Sequence, residues 1–258
     1  MSEFTKITSR DNPLIKLVAQ LNNSGRSRKE HGLFVIEGLR LCCDAAENDF
    51  CFTHLLVSET ALGKYSDDIK LLASKAEKAF LLSDNVFSKI SDTKSPQGIV
   101  CLVKMEEKQQ AINPKGRYIA LENLADPSNL GAVARTAEAL GIDGIIISDG
   151  GCDPFSPKSL RASMGALLRI PVIVCENFVK ALSESGLSLY ACVVSGDAKS
   201  LTDVDFSDGC AALIGNEANG LTEEAKAVCT PITIKMIGRA ESLNAAVAAS
   251  IVMWEMQR

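Results

Sequence analysis

Through the second half of the chain, short apolar runs of strand length alternate with helical stretches. Residues 118–122, 145–147, 169–174, 189–194, 211–214 and 232–235 read as strands, and 130–140, ended by Gly141, and 242–256 as helices. Apolar runs without polar alternation belong to strands buried on both faces, so this order predicts a parallel sheet covered by helices. In the terminal helix Leu243, Ala246, Val247, Ser250, Ile251 and Trp254 fall on one face at helical spacing.

The first part of the chain mixes the two element types differently. Asn12-Pro13 precedes a helical face of Leu14, Ile15, Leu17, Val18 and Leu21, and a second helix carries Leu39, Leu41 and Ala45. Strands are predicted over 34–36, 55–57, 79–82 and 98–103. This is a compact α/β domain of roughly 100 residues. Between the two parts, a polar stretch ending in Asn113-Pro114-Lys115-Gly116 reads as a linker. The expected organisation is 1–107, a linker over 108–116, and 117–258.

Composition excludes several classes. At 47 % hydrophobic and 23 % charged over 258 residues, there is ample material for a core. No apolar stretch approaches the roughly 18–20 residues needed to span a bilayer, and the opening Met1-Ser2-Glu3-Phe4 lacks a secretory apolar run. A cytoplasmic protein without membrane contact is expected. Nine cysteines include no Cys-x-x-Cys pair, and His31 and His54 lie near no cysteine cluster, so neither a metal site nor a disulfide framework is expected.

The net charge of −5 is unevenly placed. Residues 1–115 carry 16 basic and 15 acidic side chains, and 116–258 carry 11 and 17. Arg26, Arg28 and Lys29 cluster near the start, either as a solvated loop or as a local patch for a polyanion.

No Gly-x-Gly-x-x-Gly, phosphate loop or Gly-x-Ser-x-Gly elbow occurs. Polar segments stand instead at three strand-to-helix junctions, where α/β folds place ligands. In the first, Asp126-Pro127 starts a helix that Ser128 or Asn129 could cap, and Arg135 follows Asn129 by six positions. The second, Gly215-Asn216-Glu217-Ala218-Asn219-Gly220-Leu221, runs off a buried strand, with glycines that let backbone approach a ligand. The third places Ser242 and Asn244 at the start of the terminal helix, where capping alone could explain them.

Together these segments resemble the SpoU (TrmH) branch of the SPOUT RNA 2′-O-ribose methyltransferases. The family's Asn-x-Gly-x-x-x-Arg, Gly-x-Glu-x-x-Gly-Leu and Ser-Leu-Asn motifs stand in order as 129–135, 215–221 and 242–244. The segment from Ser156 through Arg161 to Ala166 resembles the family's substrate-side loop, and Phe34 to Arg40 is similar to the opening of its small substrate-binding domain. Lys235 departs from the proline often found ahead of the methionine in the third motif.

The resemblance implies a SPOUT-type parallel sheet with a C-terminal trefoil knot, preceded by a small α/β substrate-binding domain. It implies S-adenosyl-L-methionine as cofactor, held by Leu213, Gly215, Ile234, Met236, Ser242 and Leu243, and a homodimer partner that completes the site. Asn129, Arg135, Glu217, Ser242 and Asn244 match its functional positions, and Arg26, Arg28, Lys29 and Arg161 are the candidate RNA contacts. Ribosomal RNA is the favoured substrate over transfer RNA. A non-catalytic RNA-binding assembly factor on this fold is the reading from another class, and intact motifs argue against it. A small-molecule nucleotide-binding protein stands behind both.

Overall fold

The computed structural model describes residues 4–105, 111–207 and 209–258. Its contacts divide the chain into two compact units, Met1–Lys108 with Phe155–Arg161, and Gln109–Pro154 with Ala162–Arg258. Residues 106–107 of the expected first domain and 108–110 of the expected linker lie outside the described residues. The rest of that linker folds onto the second unit, where Ile112 packs on its core and the Asn113 amide donates to the Tyr118 hydroxyl at 3.0 Å. Residues 155–161, inside the expected second domain, group with the first unit.

The first unit comprises β1 (Thr5–Ile7), α1 (Pro13–Asn23), α2 (Gly25–His31), β2 (Leu33–Glu37), α3 (Leu39–Glu47), β3 (Phe52–Ser58), α4 (Glu59–Lys64), α5 (Ser66–Lys75), β4 (Ala76–Leu82), α6 (Asp84–Phe87) and β5 (Ile99–Lys104). Its sheet runs β1-β4-β3-β5-β2, with β5 antiparallel to both neighbours. Asn12 caps α1 by accepting from the Leu14 amide at 2.9 Å, and Ile15, Val18 and Leu21 then bury one helical stripe against Val35, Leu56 and Leu102. Each such fully buried side chain contributes roughly 1.5–3 kcal/mol.

The basic cluster is helical, not a loop, and one member is misassigned as an RNA contact. Arg28 is 4 % exposed, and its guanidinium donates to the carbonyls of Leu21 and Asn22 at the end of α1. Those last carbonyls have no intrahelical partner, and Arg28 satisfies them. Arg26 and Lys29 remain exposed, with Arg26 paired to Glu30 at 2.7 Å.

From Arg117 onward the chain forms β6 (Arg117–Leu121), α7 (Pro127–Ala139), β7 (Gly144–Ser148), α8 (Pro157–Ala162), α9 (Ala166–Arg169), β8 (Val172–Cys175), α10 (Phe178–Ser183), β9 (Ser188–Cys192), β10 (Lys199–Ser200), β11 (Cys210–Ile214), α11 (Glu223–Ala227), β12 (Thr230–Thr233) and α12 (Ala245–Met256), all but α8 in the second unit. All of α8 but Ala162 groups with the first unit. The sheet is parallel throughout, in the order β10-β12-β9-β11-β6-β7-β8. Strands β7 and β11 are buried along their whole length, as their uninterrupted apolar runs require.

Three expected boundaries shift for local reasons. Helix α7 starts at Pro127 because Asp126, rather than Ser128 or Asn129, caps it, accepting from the Ser128 amide at 2.9 Å. The strand expected from Arg169 starts at Val172, since Arg169 ends α9 and its guanidinium donates to Glu138 at 2.8 Å. Helix α12 starts at Ala245, after Asn244 rather than at Ser242.

Helix α12 also shows two apolar faces where the spacing predicted one. Ala245, Ala249, Val252, Met253 and Met256 are buried, while Val247, Ile251 and Trp254 are exposed, Trp254 by 60 %. A helix apolar around its circumference gives the 3.6-residue period nothing to distinguish.

Candidate functional site

Strands β6 and β11 lie side by side in parallel register, Leu121 opposite Ile214, and both open into loops at their C-terminal ends. Here the strand order changes direction, with β7 and β8 on one side and β9 and β12 on the other. Such a crevice is where open α/β sheets hold ligands.

Glu122, the first residue past β6, closes the loop that leaves β11. Its backbone amide donates to the Ile214 carbonyl at 2.9 Å. Its buried carboxylate accepts from the Thr222 amide at 2.8 Å and the Thr222 hydroxyl at 2.7 Å. A buried carboxylate is tolerable because it is so bonded. Within the loop, a Cβ on Gly215 would lie 2.1 Å from the Gly220 carbonyl carbon and 2.3 Å from the Leu221 nitrogen. Only glycine permits that approach.

The motif side chains meet across this loop. Asn129 donates through Nδ2 to Glu217 Oε1 at 2.8 Å, and the other Glu217 oxygen accepts from the Ala125 amide at 3.2 Å. Asn244 donates through Nδ2 to Asn129 Oδ1 at 3.1 Å. The Asn244 Oδ1 accepts from the amides of Ala246 and Val247 at 2.9 and 3.3 Å, capping α12. The chain Asn244, Asn129, Glu217 therefore has one polarity, because each amide has one donor and one acceptor end.

Burial works to raise the Glu217 carboxyl, but the hydrogen bonds from Asn129 and from backbone amides outweigh it and hold it below its usual value. Nearby, burial pushes the Cys152 thiol up to about 11, with the Glu217 and Asp126 charges adding to the shift. Cys152 is thus a protonated thiol at neutral pH and no nucleophile.

A cavity of about 620 Å³ opens beside this chain. Its volume falls within the roughly 300–1,000 Å³ of small-molecule sites. Of the expected cofactor residues, Gly215, Ile234, Met236, Ser242 and Leu243 line it, together with Glu217 and Asn244. Leu213 does not. Its side chain is buried in the core with Ala120, Ile146 and Leu221, and Ile214, one residue on, faces the cavity.

Arg135 stands apart from the other motif residues. Six helical residues separate it from Asn129 by about 9 Å along the axis and about 120° around it. It is exposed, outside the cavity lining, and makes no hydrogen bond or ion pair among the described residues. Beside it, Thr136 and Ser250 exchange a hydrogen bond at 3.1 Å, joining α7 to α12.

In the first unit, Arg161 pairs with Asp92 at 2.6 Å, and its Nη1 is buried without a hydrogen-bond partner. Glu37, in the predicted opening strand, accepts from the Ser91 hydroxyl at 2.5 Å, the Asp92 amide at 2.8 Å and the Thr93 hydroxyl at 2.8 Å. The carboxylate thereby holds the loop that carries the Arg161 partner.

Sequence reasoning missed Glu122, Asn216, Thr222 and Lys226. Asn216 donates to the Asn123 carbonyl at 2.9 Å, and Lys226 lines the cavity. A carboxylate ending an otherwise apolar strand was a signal for Glu122. Lys226 sits on a short helix whose pattern marks nothing. Among the described residues, no helix is long and apolar enough to cross a membrane, and no three His, Cys, Asp or Glu side chains are grouped to hold a metal ion.

Comparison with known proteins places this geometry among others. The family model described as the SpoU rRNA Methylase family matches residues 116–254, and an MRM3-like substrate binding domain matches 12–101. An uncharacterized tRNA/rRNA methyltransferase of Synechocystis is 31% identical over 262 residues, covering 100% of this chain and 95% of its own. The 23S rRNA (guanosine(2553)-2′-O)-methyltransferase RlmP of Bacillus subtilis is 28% identical, covering 98% of this chain and 99% of its own. The crystal structure of an AdoMet-bound rRNA methyltransferase from Sinorhizobium meliloti superposes with a TM-score of 0.87 at 29% identity, covering 98% of this chain and 97% of that one.

Proposed function

This chain belongs to the SpoU rRNA Methylase family, and from that premise we propose that it transfers the methyl group of S-adenosylmethionine to a ribose 2′-hydroxyl of ribosomal RNA. Its parallel sheet, with α12 returned against α7, is the SPOUT-type knot architecture. The observation that carries the proposal is the hydrogen-bonded chain from Asn244 through Asn129 to Glu217, which joins three segments distant in sequence at the mouth of one cavity. The 23S rRNA 2′-O-methyltransferase activity named for the Bacillus subtilis relative and the AdoMet in the Sinorhizobium meliloti structure support the reaction, the substrate class and the cofactor.

The cavity suits that cofactor chemically. Ile214, Ile234, Met236 and Leu243 give it an apolar wall, and the Gly215–Gly220 turn brings backbone polar groups beside it. S-adenosylmethionine supplies a methyl already electrophilic on a sulfonium, leaving the protein to align the ribose oxygen and manage its proton.

Arg135 binds the phosphate next to the reacting ribose and stabilises negative charge as the 2′-oxygen loses its proton. A guanidinium is a poor proton acceptor and a good phosphate clamp. Asn129 and Asn244 position the ribose, Ser242 lines the cofactor pocket beside them, and Glu217 keeps the motif loops in register.

The protein acts as a homodimer in the cytoplasm. A second copy covers Val247, Ile251 and Trp254 and takes Arg135, which lies outside its own cavity, into its site. The 1–107 domain binds RNA, with Arg26 and Lys29 on its surface, and Arg161 contacts the RNA as well.

Nuclease digestion of ribosomal RNA methylated by the protein tests the reaction. A single 2′-O-methyl nucleoside is expected, and a base-methylated product would overturn the proposal.

A further inference from the structure

The lining of the cavity contains, among the described residues, two charged side chains, Glu217 and Lys226. Glu217 is committed to the loops, with both oxygens accepting from Asn129 and Ala125. Lys226 is differently placed. Its ammonium donates to Glu223 at 2.8 Å, and Glu223 lies in solvent with a side chain 91% exposed. Exposed pairs three residues apart on a helix are weak and readily exchanged. An ammonium has three donors, so a second acceptor on the cavity side can be met without breaking that pair.

The backbone that carries Lys226 is held from the core. Thr222 caps α11 by accepting from the Ala225 amide at 3.2 Å, and the same Thr222 is fastened through its amide and hydroxyl to the buried Glu122 carboxylate. Leu221 is buried just before it. The start of α11 is therefore anchored to the end of β6, which leaves the lysine stem as the moving part. Such anchoring lowers the ordering cost of binding.

A methionine-derived cofactor carries one carboxylate, and a carboxylate taken into a cavity needs a cation or N–H donors. We propose that Lys226 binds the carboxylate of the methionine arm of S-adenosylmethionine and so orients the cofactor in the cavity. The inference rests on reading this cavity as the cofactor site. Lys226 is a positioning residue, since it acts on a group remote from the transferred methyl.

Calorimetric titration of the full chain with S-adenosylmethionine, S-adenosylhomocysteine and methylthioadenosine, which lacks the amino-acid arm, separates the possibilities. Lys226→Gln is expected to weaken the first two by roughly tenfold, about 1.4 kcal/mol, while methylthioadenosine stays within about twofold. Lys226→Arg keeps most of the affinity, because it keeps the charge. Glu223→Gln, which removes the exposed partner, binds all three ligands at least as well as the wild type. Equal weakening of the three ligands by Lys226→Gln, weakening of none, or a tenfold loss from Glu223→Gln would overturn the proposal. Wild-type protein that binds none of the three would instead remove the cofactor reading, and the proposal with it.

Discussion

Asn129 and Glu217, 88 residues apart in sequence, share a 2.8 Å hydrogen bond that ties the first turn of α7 to the loop leaving β11. Asn129 is satisfied at its other end by Asn244, so the side chains of the three motifs form one directed chain. A change at either end is transmitted through Asn129, whose amide bridges Asn244 and Glu217.

Substitutions at Asn244 separate its two duties. Asn244→Ala removes the cap of α12 and the donor to Asn129, and is expected to cost about 1 kcal/mol of stability, within a range of roughly 0.5–2. Asn244→Asp keeps the capping oxygen and loses the donor, so its melting temperature stays near wild type while methyl transfer falls. Thermal melting alongside initial rates checks both; equal loss of stability in the two variants would contradict the assignment.

Glu217 makes the site sensitive to acid. Its folded carboxyl titrates below its unfolded value. Between those two values the unfolded chain binds more protons, so stability rises with pH there. The contribution is complete above the ordinary glutamate range and disappears as pH falls through the lower folded value. Urea midpoints of wild type and Glu217→Gln are expected to differ at neutral pH and to converge on acidification. A gap that stays constant across that range counts against it.

The exposed face of α12 is the proposed dimer face. Ile251→Glu and Trp254→Glu are expected to give monomers in sedimentation equilibrium, with folded-state stability changed by no more than about 0.5 kcal/mol because both side chains are exposed in the single chain. If the paired variants sediment like the wild type, α12 is not the dimer face.

The basic cluster divides by burial. Arg28→Ala leaves the end of α1 without its donor and is expected to cost roughly 1–3 kcal/mol. Arg26→Gln with Lys29→Gln is expected to leave stability unchanged and to lower the slope of log affinity for RNA against log salt by about 0.7–0.9 per lost phosphate contact. An unchanged slope returns both residues to the solvent-exposed surface.

Much of this arrangement was legible in the sequence for identifiable reasons. Buried parallel strands such as Ile145–Ile147 announce themselves because both faces are apolar, and the resemblance to the family's three motifs points to Asn129, Glu217 and Asn244, whose side chains the fold joins by hydrogen bonds. What escaped depended on tertiary geometry. Arg28 was counted as a surface cation because charge patterning cannot see the open carbonyls of the preceding helix. Leu213 and Ile214 are adjacent on a strand and point to opposite faces, so a one-residue error exchanged a core residue for a cavity wall. Asn244 was seen at the helix start, but Ser242 was placed there too, since both are good caps. Lys226 became visible only when the fold put it in the cavity.

The most direct measurement is incorporation of labelled methyl from S-adenosylmethionine into size-separated total RNA and ribosomal precursors from a strain lacking this protein, using wild type and Arg135→Ala. The wild type is expected to label one ribosomal RNA and Arg135→Ala none, with calorimetric cofactor affinity nearly equal in the two. Cofactor binding without incorporation into any RNA, or Arg135→Ala that transfers methyl as the wild type does, would contradict the proposed reaction.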